Sequence, residues 1–238
     1  MNKKKKKDKK PRAPRVNSQL PISQLRKIVL TGPRYHLEKA REYPLLGCWV
    51  YKEWQERGIA PVVVARKQSE DRVLYGVYMI DMYCLGIKDC YTRTDVSLAQ
   101  FERDLPKLCA KNPEPCSVEF AHELVYGAME YAKGYGFDPH LDFTGQLANM
   151  VLDPPDAHPR THTIEFGKDG KPFYVSGPYD DERKINRVLN TLNRTAGEGN
   201  FHFLAGFGGM DMFDDELGDE LAFDDPKMLA LSEPDEDK

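Results

Sequence analysis

Between Ile59 and Cys90 the chain alternates apolar, β-branched and aromatic runs with short polar breaks, the pattern of neighbouring strands. Ile59 to Arg66, with Val62-Val63-Val64, and Val73 to Cys84 flank the polar segment Lys67 to Asp71, which predicts an antiparallel hairpin. Gly86 then supplies a bend into a third strand, Ile87 to Arg93. In the second strand Val73, Tyr75, Val77, Met79, Asp81 and Tyr83 share one face, and Leu74, Gly76, Tyr78, Ile80, Met82 and Cys84 the other. Both faces are apolar, so the strand belongs inside its sheet. Asp81 breaks the run, and burying it requires a partner.

Helical patterns surround this core. A short helix is expected near Leu25, Ile28 and Leu30, before Gly32-Pro33, and another over 34–43, ended by Pro44. Residues 45–58, with Trp49 and Trp54, fit strand or helix equally. Asp95 or Ser97 can cap a helix over Leu98 to Leu105, closed by Pro106 and the loop Asn112 to Pro115. The strongest pattern is Val118 to Lys133, capped by Ser117 and ended by Gly134 or Gly136. There Ala121, Leu124, Val125, Ala128 and Ala132 form the apolar stripe, and Glu119, His122, Tyr126, Glu130 and Lys133 form the opposite, polar face. Leu141 to Leu152 predicts a further helix, Thr161 to Phe166 with Pro172 to Ser176 a second hairpin, and Tyr179-Asp-Asp-Glu182 opens a last helix through about Leu192, with acids at its positive end.

These elements predict one α+β domain over about 19–205, an antiparallel sheet of four to six strands packed by three or four helices. Charged tails flank it. The −4 net charge conceals nine Lys or Arg against one Asp in 1–16, a net of +8, and twelve Asp or Glu against two Lys in 211–238, a net of −10. The body is left near −2. Such compositions predict a disordered basic tail over 1–18 and a flexible acidic tail over 206–238.

Five cysteines, an odd count without a C-x-x-C pair, point to reduced thiols in a cytoplasmic protein. The basic N-terminus is followed by Pro11 and Pro14 and no apolar signal core. Asp81 and Lys88 interrupt the longest apolar stretch short of the ~20 residues of a membrane span, so no membrane association is expected.

Three constellations carry candidate chemistry. Asp81, Asp89, Glu123 and Asp142, with Asp138, are carboxylates that could converge on Mg²⁺ or Mn²⁺ for phosphodiester cleavage. The order of strands and helices is loosely like that of ribonuclease H-type nucleases, without their acidic signature. The plain alternative pairs Asp81 with Lys88 or an Arg and leaves Glu123 solvated. His122 and His140, with Asp81 and Asp142, offer imidazole and carboxylate to a transition metal such as Zn²⁺. A helical H-E-x-x-H would need His where Tyr126 stands, and the alternative is a structural His122 and a loop-ordering His140. Cys90 or Cys116 beside His122 or His140 would make a thiol nucleophile, against the alternative of inert buried thiols.

The basic arm is the stronger hint. Lys3, Lys4, Lys5, Lys6, Lys7, Lys9, Lys10, Arg12 and Arg15 supply the charge that RNA or DNA phosphates select. The acidic tail can fold back on that arm, or offer Phe213, Leu217, Leu221 and Phe223 to a protein partner. The segments Val62 to Arg66, Gly76 to Asp81, Cys84 to Asp89, His122 to Gly127 and Gly136 to Asp142 resemble those of a bacterial protein family of no established activity. The resemblance spans about 45–190 and implies no role for any residue. The leading expectation is a cytoplasmic binding module associated with nucleic acid or a ribonucleoprotein through its arm. The alternatives are a metal-dependent hydrolase, such as a nuclease, and an adaptor working through the acidic tail.

Overall fold

The structure, a computed structural model, describes residues 32–205. The chain divides into a unit Met1–Gly32 and a unit Pro33–Lys238. The basic arm, the helix expected near Leu25 to Leu30 and the acidic stretch with its Phe and Leu positions lie outside the described residues.

From Pro33 the elements run α1 (Pro33–Glu38), β1 (Leu45–Tyr51), α2 (Trp54–Arg57), β2 (Ile59–Lys67), β3 (Arg72–Asp81), β4 (Gly86–Ser97), α3 (Leu98–Leu108), β5 (Pro113–Cys116) and α4 (Val118–Gly134). They continue through α5 (Asp142–Gly145), β6 (Phe173–Val175), α6 (Glu182–Thr195) and β7 (His202–Leu204), with 3-10 turns at Ala40–Glu42 and Ala148–Met150. Strands β1 to β5 form one sheet in the order β4-β3-β2-β1-β5, and each neighbouring pair is antiparallel. Strands β6 and β7 pair in parallel. The class is α+β, with a five-stranded antiparallel sheet and six helices among the described residues.

Two-sided burial of β2 and β3 dictates the layering. Val62, Val64, Leu74, Tyr78 and Ile80 meet Ala121, Leu124, Val125 and Ala128 of α4. Val63, Ala65, Val73, Tyr75 and Val77 meet Phe101 and Leu108 of α3 on the other side. Ser97 and Ser117 cap these helices, their hydroxyls accepting from the N–H of Gln100 and Phe120 at 3.2 and 3.1 Å. The β3–β4 turn brings Gly86 against α4. Its φ of +67°, together with the 2.9 Å that would separate a Cβ from the Ala128 carbonyl, leaves room for glycine alone.

Four expected features differ. Helix α3 runs past Pro106 to Leu108: the proline is exposed and so is Glu102, whose carbonyl loses its partner and can be hydrated. Pro113 to Cys116, expected as loop, is an edge strand against β1, where one side of the backbone has no ladder to serve and proline is tolerated. The helix expected over 141–152 breaks into α5 and a 3-10 turn, because Leu147 adopts a left-handed φ of 60°. Thr161 to Phe166 is no strand; the Thr161 and His162 N–H groups go to the Glu123 carboxylate, and Phe173 to Val175 pairs with His202 to Leu204 instead.

A single buried contact tests the packing under α4. Tyr78 is fully buried and donates its hydroxyl to the Ala148 carbonyl at 2.8 Å, and a Cβ on Gly76 would sit 2.5 Å from that oxygen. Tyr78→Phe is expected to lower stability by about 1–2 kcal/mol and Leu124→Ala by about 2–5 kcal/mol in urea denaturation. Unchanged midpoints in both would contradict the packing described.

Candidate functional site

Asp81 ends β3 and is buried, with its carboxylate turned onto its own turn. Oδ1 accepts the N–H groups of Tyr83 and Cys84, both at 3.0 Å. Burial raises its pKa, while the Lys88 charge and the amides of Cys84, Tyr83 and Leu85 pull it down. Burial prevails and the net direction is upward, so the Lys88 charge and then the amides of the turn compensate the buried aspartate in part.

Three of the other expected residues do come together. The Phe137 to Asp142 loop docks on β4 through the His140 N–H to the Ile87 carbonyl, at 2.9 Å. This puts His140 Nδ1 3.7 Å from Asp89 Oδ1 and 3.9 Å from Asp142 Oδ2. Asp89 Oδ1 also accepts the Cys90 N–H at 2.7 Å. Among the described residues no group of three or more His, Cys, Asp or Glu side chains has the geometry to hold a metal ion.

His122, expected on the polar helix face, and Glu123, a candidate ligand whose plain alternative was solvation, instead lie buried under the segment 153–166. Glu123 Oε2 accepts the N–H groups of Thr161 and His162, at 3.1 and 3.0 Å, and faces His162 Nδ1 at 2.9 Å. His122 Nε2 donates to the Pro154 carbonyl at 2.7 Å. At the start of the segment Asp153 bridges Arg66 Nη2 at 2.8 Å and His158 Nε2 at 2.9 Å. Buried Arg66 is completed by the carbonyls of Val151 and Tyr43. These groups clamp the segment 153–166 to α4 and β2, with Glu123 Oε2, His122 Nε2, both Asp153 oxygens and the Arg66 guanidinium engaged by the fold.

Cysteine chemistry finds no activation. Burial pushes the Cys48, Cys90, Cys109 and Cys116 thiols up to about 12, and Cys84 higher still, so the nucleophilic thiolate is disfavoured at each.

A different surface carries unspent chemistry. Helix α6 is capped by Asp181, which accepts the Lys184 N–H at 2.7 Å, and its N-terminal approach is held by Asp180. Asp180 Oδ2 accepts from the Tyr174 hydroxyl and the Gly177 N–H, and its Oδ1 pairs with Lys184. Burial raises the Asp180 pKa, but Lys184, the Gly177 amide, Tyr174 and the Lys88 charge outweigh it and the net direction is downward. Ile185, Val188 and Leu192 face inward onto Tyr174 and Cys84. The helical period then sends Arg183, Asn186, Arg187, Asn190 and Arg194 outward, and all five are exposed. With Thr191 they line an open surface depression of about 500 Å³.

Arg183 to Arg194 spans eleven residue steps, about 16 Å of helix axis. Among the described residues, no ion pair or hydrogen bond engages Arg183, Arg187 or Arg194. Three exposed guanidinium groups on one stripe make this face cationic, with five donors each and a planar fork of the geometry that pairs with carboxylate or phosphate. The sequence pattern marks the acids that open this helix and does not by itself single out the arginines. The signal was present as a basic spacing offset from Ile185, Val188 and Leu192.

No family model, curated protein or solved structure matches the chain. What the geometry defines is an α+β domain with a sheet covered on both faces and an arginine-lined helix. No helix among the described residues is long and apolar enough to cross a membrane.

The clamp over α4 has a pH signature. Burial works against the Glu123 and Asp153 carboxylates, yet His162 with the Thr161 amide, and His158 with Arg66, hold both below their ordinary values. Depressed carboxylates contribute stability that is present above their unfolded values, about pH 4–4.5, and is lost as pH falls through the folded ones. Denaturant midpoints measured against pH should therefore drop on the acid side of about pH 4.5, and Asp153→Asn should lower the neutral plateau and flatten that limb. A limb of unaltered steepness in Asp153→Asn would contradict the assignment.

Proposed function

We propose that the protein is a cytoplasmic nucleic-acid-binding module, acting on RNA or DNA directly or within a ribonucleoprotein, and that α6 is its folded contact surface. The observation that carries the reading is the stripe of Arg183, Arg187 and Arg194, exposed on one face and unpaired among the described residues. Arginine forks contact phosphate bidentately, and Asn186 and Asn190 between them are residue types that also read base edges. The basic arm, Lys3 to Arg15, supports the same partner through charge without specificity. Exposed Tyr179, just before α6, and Phe203 of β7 belong to the same part of the fold and offer faces on which unpaired bases can stack. Five free cysteines, four of them buried, suit a reducing compartment.

The test is the salt dependence of binding to RNA and DNA oligonucleotides of about 20 nucleotides, a length that covers an ordinary single-strand site. Replacing Arg183, Arg187 and Arg194 by Ala removes three phosphate contacts and is expected to reduce the slope of log K against log salt by about 2–3, with affinity down at least about tenfold. Stability should stay within about 0.5 kcal/mol, because the three side chains are exposed and unpaired. Unchanged affinity and slope in the triple variant would overturn the reading of α6.

A further inference from the structure

The stripe on α6 is strongly cationic and open, while the most acidic stretch of the same chain begins a few residues beyond the strand that follows it. The described fold ends at Ala205, and Ala205 and Phe201 pack in the cluster built on Ile185, Val188 and Leu192, directly behind the stripe. The backbone is tied there too, since Ser176 donates its N–H to the Leu204 carbonyl at 2.9 Å. Asp211, the first acid of the stretch, is six residue steps from Ala205, a tether of at most about 20 Å against a stripe of about 16 Å.

We propose that the acidic segment 211–238 is the resident occupant of the Arg183–Arg194 face and competes there with nucleic acid. The inference rests on the proposed nucleic-acid role for the regulatory consequence, and on charge and connectivity alone for the docking itself. Twelve carboxylates against two lysines give the segment the charge density of a short polyanion. Carboxylate matches the guanidinium fork as phosphate does. A tether this short holds the acids at an effective concentration in the millimolar range, so weak individual pairs are enough for occupancy at low salt. Nucleic acid, with more charge and a stacking surface, displaces the segment; salt weakens both, and the intramolecular contact has the smaller charge to screen. The basic arm is the rival site for the acids, and it is separated from α6 by the test.

The experiment uses four full-length chains: the natural one; one in which the acids of 211–238 are replaced by their amides (Asp→Asn, Glu→Gln); one with Arg183→Ala, Arg187→Ala and Arg194→Ala; and the combination. Without nucleic acid, the side-chain Nε–H resonances of Arg183, Arg187 and Arg194 are expected to differ between the natural and the amide-tailed chain at low salt. The two spectra should converge near 1 M salt, where the screening length falls to about 3 Å. With an RNA oligonucleotide, the amide tail is expected to tighten binding about tenfold in the natural helix and about twofold or less in the Ala helix. Identical arginine resonances at low salt would overturn the docking. An equal gain from the amide tail in both helix backgrounds would also overturn it, placing the acids on the arm or in the general field. Arginine shifts accompanied by no nucleic-acid binding in any chain would uphold the docking and sink the nucleic-acid reading instead.

Discussion

Everything described in this fold depends on two strands that are apolar on both faces. Val62, Val63, Val64 and Ala65 of β2 are each fully buried, and so are Leu74, Val77, Tyr78 and Ile80 of β3. A sheet of this kind leaves a large unfavourable apolar area on whichever side is uncovered, at about 25 cal/mol per Å². One helix therefore has to lie on each face, α3 on one and α4 on the other, and the remaining chain has to wrap the edges. The lengths of the connections follow: a short turn between β2 and β3, and a long excursion after α4 that returns across its outer surface.

That excursion explains why so many polar residues are buried without forming a reactive centre. Its backbone carries donors that find no strand to pair with, and Glu123 accepts two of them. Arg66, projecting from an otherwise apolar strand, spends its donors on Val151, Tyr43 and Asp153. Asp81 does the same for the turn that follows it. Buried polar groups whose hydrogen bonds are filled by the fold specify how its layers meet, and they leave little for a substrate. Among the described residues, Arg183, Arg187 and Arg194 on the outside of α6 are charges that the fold does not use in this way.

Much of the architecture was legible because it is local. The period-2 runs of β2 and β3, the polar turn between them, and the Ser97 and Ser117 caps each announce themselves within a few residues. The edge strand at Pro113 to Cys116 was not legible, since prolines read as loop until a neighbouring strand is known to lie on one side only. Thr161 to Phe166 looked like a strand for the complementary reason: its apolar alternation is real, but its amides are taken by a carboxylate 38 residues earlier. At the site, the need of Asp81 for a partner followed from physical chemistry, whereas the identity of that partner depended on the turn geometry. Asp89 and Asp142 each come within 4 Å of the His140 imidazole, yet Glu123, His122 and Asp81 are each engaged elsewhere. The arginine stripe was readable in principle from the offset between Arg183, Arg187 and Arg194 and the apolar positions of the same helix.

The proposed role has the chain meeting a polyanion through the outer face of α6. The most direct measurement is amide hydrogen exchange of the full-length protein with and without a bound RNA oligonucleotide, resolved to single helical turns. Protection concentrated in Glu182–Thr195 and the adjoining residues 176–181, with the Asp89–His140–Asp142 loop unchanged, is the predicted result. Protection confined to that loop or to the segment 153–166, with α6 exchanging as in the free protein, would contradict it.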